Sequence, residues 1–228
     1  MSATDGSINN GSIVSLWRYP VKSMQGEEIN ASFVTERGLF GDRAYVLPDG
    51  ETVTSGQANL DQTLSRNLGR AVVFTGQPSQ QPHLDEYWPD AADVPGLPHS
   101  DDVTDENTLE NTFFDLAILH LLTTATIDML RASYPAGRFE ARRFRPNIVI
   151  DAGAEGFVEN DWIGKTLAIG DEVRLNITGP CPRCVMTTLP QADLPKDPGI
   201  LRAAVQQNGA NVGVYANVAR AARSGRET

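Results

Sequence analysis

The sequence predicts a mainly β chain with a few short helices, and three observations carry that prediction. Short stretches rich in Val, Ile, Thr and aromatic residues recur along the chain, separated by Gly, Asp and Pro. Only two segments carry clear helix signals. No alternation of strand and helix patterns occurs, and neither a G-x-G-x-x-G nor a phosphate-binding loop is present, which argues against a dinucleotide fold.

Taken in order, residues 12–17 read as a first strand running into a basic turn, Arg18 to Ser23, punctuated by Pro20. Residues 28–35 alternate imperfectly and read as a second strand. A two-glycine turn at 38–43 feeds a strand at 44–47, and Asp49-Gly50 is a hairpin signal before 52–54. Residues 70–75 close the strand-rich first half. The apolar run 116–122 is too short and unflanked to assign. Thr123 or Thr124 caps a helix to about Tyr134, with Ile127, Leu130 and Tyr134 on one face. Residues 137–145 carry four arginines against one acid and lead into a strand at 146–151. Residues 167–178 read as two strands about a Gly-Asp turn. Asp197 as N-cap, Pro198 at the first helical position and Gly209 past the end outline a helix over 198–207.

At 228 residues the chain is long enough to bury a proper core. No apolar run approaches the roughly 20 residues of a membrane span, so no membrane association is expected. The first residues lack the basic region and apolar stretch of a secretory signal, and two cysteines suit a reducing compartment; a cytoplasmic location is expected. The net charge of −10 is concentrated: eleven acids and no Lys or Arg fall between Ala71 and Leu130. Within that span the proline- and acid-rich residues 83–102 read as a solvated loop. The remainder is near neutral, which disfavours nucleic-acid binding.

The chemistry concentrates at Gly179-Pro-Cys181-Pro-Arg183-Cys184-Val-Met-Thr-Thr188, which holds both cysteines. Flanking prolines restrict where the thiol points, and an adjacent arginine favours the thiolate, a ligand for soft metals. A buried structural pair, a redox disulfide and half of a zinc site are competing readings, the last being short of ligands. His83, His99 and His120 have no serine in a nucleophile-elbow context, and His120 reads as a satisfied core histidine. A second set is cationic and polar: Lys22 with Ser23, Arg43, and Arg145 with Asn147. Lys is a point charge for phosphate and Arg a bidentate fork, so at strand ends they could converge on one anionic ligand. Singly, each also reads as an ordinary surface lysine, paired arginine or turn asparagine.

The segments Leu16-Trp-Arg-Tyr-Pro-Val-Lys-Ser-Met-Gln-Gly-Glu27 and Gly38-Leu-Phe-Gly-Asp-Arg-Ala-Tyr45 resemble the N-terminal β-barrel region that accompanies MOSC domains. Phe144-Arg-Pro-Asn-Ile-Val-Ile150, Trp162-Ile-Gly-Lys-Thr-Leu-Ala-Ile-Gly170 and Cys181-Pro-Arg-Cys-Val-Met-Thr-Thr188 resemble the MOSC domain itself, found in molybdenum cofactor sulfurases and amidoxime-reducing enzymes. The resemblance implies a strand-rich N-terminal domain over 1–110, ending in the acidic loop, and a β-barrel-like MOSC domain over 111–228. It implies the molybdenum–molybdopterin cofactor (Moco), with Cys181 as metal ligand and catalytic residue and Cys184 structural. Lys22, Ser23, Arg43, Arg145 and Asn147 would contact the pterin or its phosphate.

The implied activity is a molybdenum-dependent oxidoreductase that cycles the metal between oxidation states IV and VI and removes oxygen from N-hydroxylated small-molecule substrates. The alternative is a cofactor carrier or sulfur-transfer module without turnover. Two cysteines cannot hold an iron–sulfur cluster by four thiolates, so a reductase would take electrons from a separate electron-transfer protein. No pyridoxal-phosphate domain precedes the MOSC-like region, so a complete sulfurase is not expected. Residues 221–228 do not match the closing strand of relatives, so the barrel is expected to close differently or stay slightly open.

Overall fold

The computed structural model describes residues 11–19, 26–36, 38–40, 42, 58–73 and 117–221. Lys22, Ser23, Arg43, the strands expected at 44–47 and 52–54, the Asp49-Gly50 hairpin and the acidic loop lie outside the described residues. Those described are mainly β. Seven strands form one sheet: β2 (Glu27–Ile29), β1 (Ser12–Arg18), β6 (Ile148–Asp151), β5 (Leu119–Thr123), β9 (Asn211–Arg220), β8 (Val173–Pro182) and β7 (Thr166–Ile169), in that spatial order. A two-stranded pair, β3 (Val34–Thr35) with β4 (Gly38–Leu39), stands apart. No pairing closes the seven-stranded sheet into a barrel among the described residues.

The unassigned apolar run becomes β5, buried throughout because both faces of the central sheet are covered. Leu119 and Leu121 join one apolar cluster with Ile148, Ile150, Leu175 and Val214; Leu122 joins the other with Val149, Leu130 and Phe144. β5 and β6 are parallel, which demands a crossover. That crossover includes α2 (Thr124–Ser133) and α3 (Ala141–Phe144). Thr123 caps α2 as expected, its hydroxyl accepting from Thr126 N at 3.2 Å, and Ile127 and Leu130 face the core. α4 (Gly199–Asn208) also follows the sequence signals: Asp197 Oδ1 accepts from Gly199 N at 2.9 Å, and Gly209 takes the left-handed conformation that ends the helix.

Three expectations change. Residues 28–35 are two strands, because Ile29 pairs with Leu16 whereas Val34 pairs with Leu39 in the separate hairpin. Gly38, read as a turn, is in β4 at φ 92°, where a Cβ would press on the Ile118 side chain at 2.8 Å. Residues 71–73 are irregular, because Val72 exchanges its backbone bonds with the Ser65 hydroxyl (3.0 and 3.2 Å) instead of a strand. Ser65 belongs to α1 (Leu60–Leu68), a helix not among the sequence expectations, which Gly69 ends in the left-handed conformation. No helix among the described residues is long and apolar enough to cross a membrane.

Beneath α2 a fully buried carboxyl, Glu159, accepts hydrogen bonds from Thr123 Oγ1 at 2.7 Å and Thr126 Oγ1 at 2.6 Å. It ties the short 3₁₀ turn Val158–Trp162 to the first turn of α2. Glu159→Ala would leave both hydroxyls without their acceptor and a void beside them, and should cost about 3 kcal/mol. Glu159→Gln, which retains one acceptor, should cost about half as much. Denaturant unfolding of the two variants reads both values.

Candidate cofactor cleft and thiol corner

The four arginines of residues 138–145 have three different placements. Arg143 is 1% exposed, and its guanidinium donates to four backbone carbonyls: Arg138 (2.9 Å), Thr187 (3.2 Å), Leu189 (3.3 Å) and Pro195 (2.8 Å). It therefore staples the 187–195 loop to α3. Outside it, Arg138 and Arg142 grip Asp193 at 2.9 and 2.7 Å and also pair with Glu140. Their hydrogen bonds hold the Asp193 carboxyl down at about 2. Arg145 ends α3 in the left-handed conformation (φ 54°) and lies over the Tyr19 ring, 4.3 Å from its centroid.

The stapled loop, α3 and the end of β1 enclose a cleft of about 290 Å³. Arg142, Arg143, Arg145 and Arg183 reach its wall, with Trp17 and Leu189 among the apolar lining. Such a cleft suits an anionic ligand with a flat apolar part.

Arg183 links the cleft to the cysteines. Its Nη1 donates to Cys181 Sγ at 2.7 Å, and its Nε is buried with no partner among the described residues. Cys181 is fully buried in β8; Cys184 is partly exposed just beyond it, and both thiols are free. Burial alone would push the Cys181 thiol up. The charge of Arg183, with His120 and Tyr215 also at the sulfur, outweighs it and brings the thiol down to about 6.

Asn147 lies beneath the cleft. Its Oδ1 accepts from His120 N at 3.0 Å, and its Nδ2 donates to Asp42 Oδ2 at 3.0 Å and reaches the Trp17 carbonyl at 3.5 Å. Asp42 Oδ1 in turn accepts from Tyr19 N at 2.6 Å. Of the residues singled out from sequence, Cys181, Arg145 and Asn147 thus fall in one neighbourhood, joined through Arg183, Tyr19 and His120. Lys22, Ser23 and Arg43 lie outside the described residues, but Tyr19 and Asp42, three and one positions before Lys22 and Arg43, both belong to it. Arg143 and Trp17 line the cleft without being among the residues the sequence singles out. Arg143 looks like its arginine neighbours in sequence, and burial alone distinguishes it.

Among the described residues no three His, Cys, Asp or Glu side chains gather to hold a metal. A metal at this corner would have to bring most of its own ligands, as a cofactor-held metal does. The cationic cleft, the orphaned Arg183 Nε and an adjacent thiol fit such a group.

A thiol held near 6 in the fold and near 8.5 in the unfolded chain stabilises the folded state at high pH, and that contribution is lost as pH falls through 6. In a Cys184→Ser background, the thiolate ultraviolet absorbance should titrate with a midpoint near 6. Arg183→Met should raise the midpoint, because burial then meets only the weaker opposition of His120 and Tyr215.

Comparison with known proteins agrees with this architecture. The MOSC domain family matches residues 108–223, and the MOSC N-terminal β-barrel domain matches residues 10–59. A curated relative, mitochondrial amidoxime reducing component 2 of Rattus norvegicus, is 24% identical over 230 residues, spanning 78% of this chain and 67% of that protein. The crystal structure of the YUAD protein from Bacillus subtilis shares the fold at a TM-score of 0.52 and 12% identity, with 93% of this chain and 89% of that one covered. With the MOSC match spanning half its length and the sheet, cleft and thiol corner described above, the chain belongs to the MOSC domain family.

Proposed function

We propose that this protein binds the molybdenum cofactor and uses it to reduce N-hydroxylated small molecules, with electrons from a separate protein. The observation that carries the proposal is Arg183, one side chain that both holds a cysteine sulfur and lines the arginine-rich cleft. When bound, the cofactor supplies the two-electron redox chemistry. The chain supplies the rest. Arg145, fixed over Tyr19, and Arg183 would neutralise the anionic end of the cofactor, and Lys22, Ser23 and Arg43 are proposed to complete that set. Asn147 would fix the strand ends from which these residues project. Trp17 and Leu189 would exclude water from the flat part. The family relationship to an amidoxime reducing component supports the choice of substrate class.

Exposure bears on which thiol is the ligand. The resemblance puts that role on Cys181, but Cys181 is fully buried with its sulfur already held by Arg183. Cys184 is free and keeps a solvent-facing surface. This favours Cys184 as the thiolate offered to the metal, with Cys181 holding the arginine behind it.

Protein purified from a cofactor-competent host should contain molybdenum and pterin in near-equal amounts and reduce benzamidoxime with a reduced dye. Cys184→Ser should lose the metal, a soft ligand having become a hard one. Cys181→Ser should retain it with weakened pterin binding. The reverse pattern would return the ligand role to Cys181. Metal without turnover would indicate a carrier, and absence of metal from all forms would sink the reading.

A further inference from the structure

The cleft has two unlike walls. Trp17 and Arg145 stand on the β1 side; the other side is the segment from Met186 to Ala192, which begins two residues past Cys184. The cations around it differ in what they already hold. Arg138 and Arg142 are matched by Glu140 and Asp193, and Arg143 spends its fork on four carbonyls. Arg183 keeps a buried Nε without a partner among the described residues. An anionic group is therefore drawn towards Arg183, and the loop wall is left for a neutral one.

That wall is built more firmly than a connecting loop requires. Arg143 bonds the carbonyls of Leu189 and Pro195, the two feet of the loop. Between them Gln191 and Leu194 exchange both backbone hydrogen bonds, at 3.0 and 2.8 Å, and Leu194 is buried. Ala192 sits at φ 49°, a left-handed conformation that is costly for alanine and persists only where its surroundings fix it. The loop so held presents two side chains to the cleft that the fold itself does not use. The half-buried Gln191 amide bonds none of the described residues. Met186 keeps 40% of its surface exposed.

We infer that this wall is the substrate face, with Gln191 and Met186 as the residues that choose the substrate. This role rests on the proposed reduction of N-hydroxylated compounds. A primary amide offers a donor and an acceptor side by side, and an amidoxime offers their counterparts: an N–H or O–H to give and a nitrogen lone pair to receive with. Met186, unbranched and polarisable, gives the apolar part of the molecule a surface that adapts to its shape. The substrate class is a neutral, planar amidoxime carried on an apolar group, with wide tolerance for the shape of that group.

The test uses the full-length protein labelled with carbon-13 at its methionine methyls, of which there are four. The Met186 signal is the one lost in Met186→Leu. Benzamidoxime, added without reductant, should shift the Met186 methyl upfield through the ring current of its phenyl group. The Met129 methyl, exposed on α2 and not part of the cleft lining, should stay in place. Gln191→Leu should leave the ligand-free Met186 signal where it is and weaken benzamidoxime binding several-fold. In turnover the same change should raise KM several-fold with kcat nearly unchanged. A Met186 signal indifferent to benzamidoxime in protein that turns it over, or unchanged affinity in Gln191→Leu, would overturn the inference and leave the reductase reading standing. A Met186 response in protein that never carries molybdenum would overturn the reductase reading and leave the wall as a binding face for neutral amidoximes. Neither response nor molybdenum would overturn both.

Discussion

The side chain on which the site most depends is Asn147. It is 6% exposed and its amide joins three segments far apart in sequence: the end of β1 at Trp17, the loop at Asp42 and β5 at His120. An asparagine amide offers one accepting and one donating end, and here both are matched inside the fold. Breaking such a set is costly because each buried group would be left without its partner. The consequence is positional. Tyr19, which Arg145 stacks on, and Asp42, which precedes Arg43, are drawn to the same spot as the short link from α3 to β6 that carries Arg145. A residue singled out from sequence as a ligand contact is therefore, in the described structure, the joint on which the other contacts hang.

Legibility in the sequence followed the range of the interactions. The helices α2 and α4 were readable because a cap, an apolar face and a stop signal all lie within a few residues. The two strands at Gly170 were readable for the same reason. β5 was not, since a short apolar run buried on both faces has no periodicity to distinguish strand from helix. The single strand expected over residues 28–35 failed because its two halves choose different partners, Leu16 and Leu39, and no local pattern encodes that choice. At the site, the cationic and thiol residues were legible as types. Their grouping was not, because Arg183 meets the cleft and His120 meets Cys181 only through pairings between distant strands.

The corner Cys181-Pro-Arg-Cys184 shows how one short motif can divide its labour by burial. Alternation along β8 turns Cys181 inward, where a thiolate is tolerated only because Arg183 and His120 stand against it. The strand ends at Pro182, and the backbone turn that follows leaves Cys184 partly exposed, beside the arginine but outside the packed interior. A thiol in the first position serves as an anion for the protein's own arginine. A thiol in the second is available to something brought from outside.

The same logic governs the arginines of residues 138–145, which look interchangeable in sequence. Arg143 points into the interior, where water cannot reach it, and five donors in a rigid fork suit it to the four carbonyls it finds there. A lysine, with a single point of charge, could not bridge them. Arg138 and Arg142 remain outside and meet carboxylates in solvent, where each pair contributes little by itself but together they close the loop over the buried staple. Arg145 is placed differently because the helix ends beneath it: its left-handed backbone turns the side chain away from α3 and over Tyr19. The cleft owes its charge to Arg145 and Arg183, and its shape to Arg143. A ligand-binding surface of this kind needs both, since a cation on a mobile rim gives attraction without a defined place for the anion to sit.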